Sequence, residues 1–176
     1  MKKMNLAVAL LSLSVYVGAL AADKPLPRIL SESEVSKVLM TANEGEVELA
    51  KVAKDQSRNP KVKSFAEHMI KDHDMNNEML QKIVDKKDLS PESNPKSDAL
   101  KRDGKLSKEM LSKLEGSAFD TAYIDDQVNT HKMVLETIEK NLLPAAKSEK
   151  LKAHLTMTKT KVAEHLKHAE EIQKSL

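Results

Sequence analysis

From Val35 to Ile172 the chain places apolar side chains at steps of three and four with few interruptions, and this period is the feature that most restricts its fold. Such stripes are buried by packing helix against helix, and no alternating strand pattern competes with them. The first stripe runs Val35, Val38/Leu39, Ala42, Glu46, Leu49 and Ala53, opened by Ser31 and Glu34 as a capping box. Asn59-Pro60 then breaks and restarts the chain, Asn as cap and Pro at the first helical position. The second stripe carries Val62, Phe65/Ala66, Met69, His73, Asn76, Leu80 and Ile83/Val84.

Residues 86–98, KKDLSPESNPKSD, read as a linker, and a shorter helix is predicted over about Ala99–Leu114, ending near Gly116. Ser117 is predicted to cap a third long helix carrying Phe119, Tyr123/Ile124, Gln127, His131, Val134/Leu135, Ile138 and Leu142. A fourth begins near Ser148 with Leu151, Leu155, Thr158, Val162, His165, Ala169 and Ile172 in line. Short connections from one to two and from three to four predict an all-α fold, an antiparallel four-helix bundle with a short extra helix in its single crossover. Phe65, Phe119 and Tyr123 are the only aromatics after residue 21, so the core is mainly aliphatic.

The first residues have a different purpose. MKKMN, the apolar run LAVALLSLSVYVGAL and small residues at Ala19 and Ala21 form the pattern of a secretory signal peptide. Residues 1–21 are therefore expected to be removed after Ala21, leaving residues 22–176 as one periplasmic domain with no membrane anchor. Losing Lys2 and Lys3 turns 29 basic and 27 acidic residues into 27 of each. That balance suggests neither nucleic acid nor an anionic membrane as partner. The chain has no cysteine, hence no disulfide and no lipid-acceptor thiol. No Glu-x-x-His pair, Gly-rich phosphate loop or nucleophile elbow is present, so no enzymatic activity is expected; a protein partner is not identified by the sequence.

Each long stripe contains one potential ligand: Glu46, His73, His131 and His165. The steps 42→46→49, 69→73→76, 127→131→134 and 162→165→169 put all four on inner faces. Two readings follow. In one they are buried polar residues that hydrogen-bond to one another and fix the register of a structural or protein-interaction module. In the other they bind a divalent transition metal, zinc, copper or iron. Depth favours the pairing of Glu46 with His73, which differ by about 3 Å from their shared turn, over that of His131 with His165, which differ by about 7 Å. A flank set of His68, Asp72, Met75 and Met79 with His154, Met157, Glu164 and His168 is a second candidate, suited to copper.

The segments EGEVELAKVA (44–53), NPKVKSFAEHMIKDH (59–73), LEGSAFDTAYI (114–124), His131 with its apolar run and EHLKHA (164–169) resemble the exported ferritin-like proteins called domain of unknown function 4142. The resemblance covers about Ser33 to Glu171. It implies a ferritin-like four-helix bundle, with the family's Glu and His at positions matching Glu46, His73, His131 and His165, and it implies no established activity. Three departures stand out. Thr130-His131 replaces the family's usual Asp-His, Lys159-Thr160 replaces its Leu-Pro, and Gln127 replaces a Met. The reading carried forward is metal binding by the four inward residues.

Overall fold

In the computed structural model, which describes residues 29–176, the first helix, α1 (Glu32–Gln56), starts at the expected capping box. The Ser31 hydroxyl accepts from the Glu34 N–H at 3.2 Å, and the Glu34 carboxylate accepts from the Ser31 N–H at 2.9 Å. Asn59 caps α2 (Pro60–Lys86) through the Lys61 N–H at 2.9 Å. The expected signal peptide lies outside the described residues.

The linker is shorter than expected. Asn94-Pro95 repeats the device of Asn59-Pro60, and with a capping box to Ser97 it starts α3 (Pro95–Leu111) about four residues early. Nor does Ser117 cap the next helix. Glu115 precedes α4 (Gly116–Thr137) without a side-chain cap, and Gly116 adopts a φ of +58°, which glycine takes without a Cβ clash. Ile138–Leu142 then form one π-helical stretch, followed by the short α5 (Leu143–Ala145) and by α6 (Glu149–Gln173), capped by Ser148. No strand occurs among the described residues.

Side-chain pairs give the register. Asn43 meets Asn76, and Lys54 meets Glu67, so α1 and α2 run antiparallel. Lys132 with Glu170 and Lys159 with Glu139 set α4 antiparallel to α6. Ser57 donates to Asp120 at 2.5 Å and Gln127 to Glu46 at 2.8 Å, which joins α1 to α4, while Asp72–His165 and Asn76–Thr158 join α2 to α6. The result is a helical bundle in which α2 and α4 run the same way, and the crossover between them carries α3 across the outer face of α1. No helix among the described residues is long and apolar enough to cross a membrane.

The core has two ends and a polar waist. Phe65, Phe119 and Tyr123 pack with Leu49, Val62, Met69 and Ile124 at one end, Phe119 stacked on Tyr123 with centroids 6.2 Å apart. Val35, Leu39, Leu80, Ile138, Leu142, Leu151 and Leu155 fill the other. Between them sit the inward histidines. Gly45 and Gly104 mark where α3 crosses α1, and a Cβ on Gly104 would meet the Gly45 Cα at an ordinary 3.9 Å.

A Cβ on Gly45 meets nothing within 4 Å, and the residue lies inside α1. Gly45→Ala should therefore raise stability by roughly 0.5–1 kcal/mol, the helix-interior difference between the two residues. Leu80→Ala, on a fully buried side chain, should lower it by about 2–5 kcal/mol. Urea unfolding followed by circular dichroism measures both.

Candidate metal centre

At the waist the bundle brings His73 of α2, His131 of α4 and His165 of α6 together, all buried. One ligand nitrogen from each lies within 4.8 Å of the other two. Ring centroids are separated by 6.1 Å (His73–His131), 5.4 Å (His73–His165) and 5.6 Å (His131–His165). The depth mismatch expected for His165 does not keep it out. Helical side chains lean toward the N-terminus of their helix. Because α4 and α6 are antiparallel, His131 and His165 lean toward each other's level, and counting Cα steps overstates their separation.

Each imidazole makes one hydrogen bond to a group that can only accept. His73 Nδ1 donates to Asn43 Oδ1 at 2.9 Å, His131 Nδ1 to the Gln127 carbonyl at 2.8 Å and His165 Nε2 to Asp72 Oδ2 at 3.0 Å. The tautomers follow. The remaining nitrogens, His73 Nε2, His131 Nε2 and His165 Nδ1, are buried and have no hydrogen-bond partner. Their lone pairs are what a metal takes, and the outer bonds are of the kind that orient metal-bound imidazoles.

The orientation of His73 is set across three helices. The Asn43 amide donates to Asn76 Oδ1 at 2.8 Å and to Asn77 Oδ1 at 2.7 Å, which turns its oxygen toward His73. Asn76 in turn donates to the Thr158 hydroxyl at 2.8 Å, and Thr158 donates to the His154 carbonyl at 2.9 Å. Asn43 is the residue that sequence reasoning missed. It lies four residues after Leu39 and three before Glu46, so the helical period does put it on the inner face, but a stripe drawn through apolar side chains takes the less buried Ala42 beside it.

Glu46 is buried but stands outside the three-nitrogen group. Its Oε2 accepts from Gln127 Nε2, and it borders a cavity of about 10 Å³ shared with His73, His131 and Thr158. Burial pushes the Glu46 carboxyl up to about 7; the Gln127 hydrogen bond opposes this and the Asp126 charge adds to it. Burial pushes the histidines the other way. His73 falls well below its ordinary value, helped by His131 and His165, and His131 falls to about 4 with a contribution from His165. His165 is lowered by burial although Asp72 opposes the shift. All three are neutral at pH 7 and able to donate lone pairs.

The flank set does not form one site. Asp72 is the partner of His165, His68 pairs with His168 at a centroid separation of 6.4 Å, and His168 also packs edge-on against Phe65 at 5.3 Å. Met79, His154 and Met157 line a separate groove toward the other end of α2 and α6.

A family model described as a domain of unknown function, DUF4142, matches residues 18–172, and the chain belongs to that family. No curated protein and no solved structure matches it.

In metal-free protein the unfolded chain takes up protons below about pH 6.5, whereas folded His131 does so only near 4. Stability should therefore fall as pH drops from 6.5 toward 4, by roughly 3 kcal/mol for His131 alone. Glu46 acts oppositely, because its folded carboxyl holds a proton up to about 7 while the unfolded one loses it near 4.5, so its contribution is lost as pH rises. Glu46→Gln should steepen the rise of stability between pH 4.5 and 7, and His131→Asn should flatten it. Urea midpoints in the presence of a chelator read both slopes.

Proposed function

We propose that this protein is a periplasmic, ferritin-like four-helix-bundle protein that binds one divalent transition metal through His73, His131 and His165, and that its role is binding rather than catalysis. The observations that support the metal reading are that one nitrogen from each of the three buried histidines lies within 4.8 Å of the other two, and that each ring keeps one buried nitrogen without a hydrogen-bond partner. A buried acceptor left unpaired costs about 1–3 kcal/mol, which a cation bound between the rings would remove. Three neutral imidazoles that leave a further position open suit Zn²⁺ or Cu²⁺ better than Mg²⁺ or Ca²⁺, which take oxygen ligands. Fe²⁺ is also compatible with imidazole.

Glu46 belongs to the surroundings of this centre. It reaches the same small cavity, and with a carboxyl that titrates near 7 it is a proton acceptor or an additional donor held back by Gln127. The adjoining cavity, about 10 Å³, has room for about one water molecule and for no organic substrate, which favours a binding role. The antiparallel neighbour pairs and the long crossover support the ferritin-like arrangement. The segment 1–21 supports export.

Titration calorimetry with Zn²⁺, Cu²⁺ and Fe²⁺ tests the centre. One equivalent per chain is expected, with affinity lost in His131→Ala and lowered about 10–100-fold in Asp72→Ala, which removes the group that orients His165. The melting temperature should rise with metal concentration in the wild type only. Identical isotherms for wild type and His131→Ala would remove the metal reading and leave the histidines as register-fixing residues. Export is tested by intact-mass spectrometry of a periplasmic extract, where the mature chain should begin at Ala22.

A further inference from the structure

The groove between α2 and α6 that contains Met79, His154 and Met157 is not used by the histidine centre. His154 lies eleven residues before His165 on the same helix, about 16 Å along its axis, so the two regions are separate. The antiparallel register set by His68 with His168 and Asn76 with Thr158 brings Met79 opposite Met157.

Met79 is 41% exposed and Met157 is 44% exposed, so these side chains do not fill gaps in the core as Met69 does at 0%. Met75, one turn before Met79 on the same face, is 46% exposed. His154 lines the same groove but is only 4% exposed, and neither of its ring nitrogens has a hydrogen-bond partner. Burial lowers its proton affinity, which keeps the ring neutral. A buried imidazole with two unpaired nitrogens thus lines the same groove as two accessible thioethers.

We propose that this groove binds one soft monovalent cation, Cu(I), through the thioethers of Met79 and Met157 and the imidazole of His154. Thioether and imidazole donors favour Cu(I). The rest of the lining excludes the harder alternatives. None of the seven lining residues is acidic, and Lys82 and Lys150 stand at the groove, so a divalent cation finds positive charge and no carboxylate. Met79 and Met157 are unbranched and exposed, so their thioethers are free to rotate within the groove that His154 lines. The centre formed by His73, His131 and His165 has no thioether and takes the divalent metal, so the protein has two sites of different softness.

The test is an anaerobic Cu(I) titration against a chromophoric Cu(I) chelator, with Ag(I) as a second probe. It compares wild type, Met79→Leu/Met157→Leu and His131→Ala. Leucine preserves the apolar volume of exposed positions, and thermal melts should show the double variant as stable as wild type. The double variant is expected to lose Cu(I) affinity at least tenfold while keeping the wild-type Zn²⁺ isotherm, and His131→Ala is expected to keep the Cu(I) site. Shifts of the Met79 and Met157 methyl resonances on adding Ag(I) would place the ion in the groove. Equal Cu(I) competition curves for wild type and the double variant would overturn the proposal. So would loss of Cu(I) only in His131→Ala, which assigns that ion to the buried imidazoles.

Discussion

An imidazole has one proton to give when neutral, and the centre of this bundle depends on where three of them are sent. Asn43, the Gln127 carbonyl and Asp72 each accept one, and all three accept from outside the ring of histidines. A single reversed tautomer would aim an N–H at two lone pairs and leave an acceptor outside without its donor. The inward rotamers of three helices are thereby coupled, and so is their packing, since Asn43 belongs to α1, Asp72 to α2 and Gln127 to α4. Burial serves the same end electrically. Protonating the rings inside costs more than protonating them in water, so burial lowers the proton affinity of all three, that of His131 to about 4.

On the α4 side the polarity reverses. Burial that holds the imidazoles uncharged also holds Glu46 protonated close to pH 7, with Asp126 adding to the effect and Gln127 opposing it. The waist therefore joins a group that prefers to lose a proton with one that prefers to keep it. Gln127 touches both, its carbonyl accepting from His131 and its side-chain amide donating to Glu46. A methionine at this position could do only the first.

Much of this was legible in the sequence because the apolar period is long and the caps are explicit. Ser31, Asn59 and Ser148 start their helices as their side chains predict. Asn94 does the same, yet it sits among serines and lysines in a stretch whose composition reads as linker, and α3 begins earlier than expected. The inward histidines follow from spacing alone, whereas their meeting depends on side-chain lean, which Cα counting omits. Glu46 shows the limit of a face-based reading: two residues can share a face and a depth while one turns its functional group to a different neighbour. Asn43 keeps the helical step between Leu39 and Glu46, but a stripe drawn through apolar side chains passes over it, because its burial is justified by hydrogen bonds rather than by apolar area.

The order in which the helices follow one another divides the centre between two units. Helices α1 and α2 form one local hairpin, and α4 and α6 form another through the π-helical stretch. His73 belongs to the first, His131 and His165 to the second. Contacts within each hairpin are near in sequence and carry a small loop-closure cost, whereas those between α2 and α6 span the crossover and carry a larger one. Neither unit holds all three histidines, so an ion held by them would act as a clasp across the docking surface. Its release would then follow from the parting of the two hairpins, without either one unfolding.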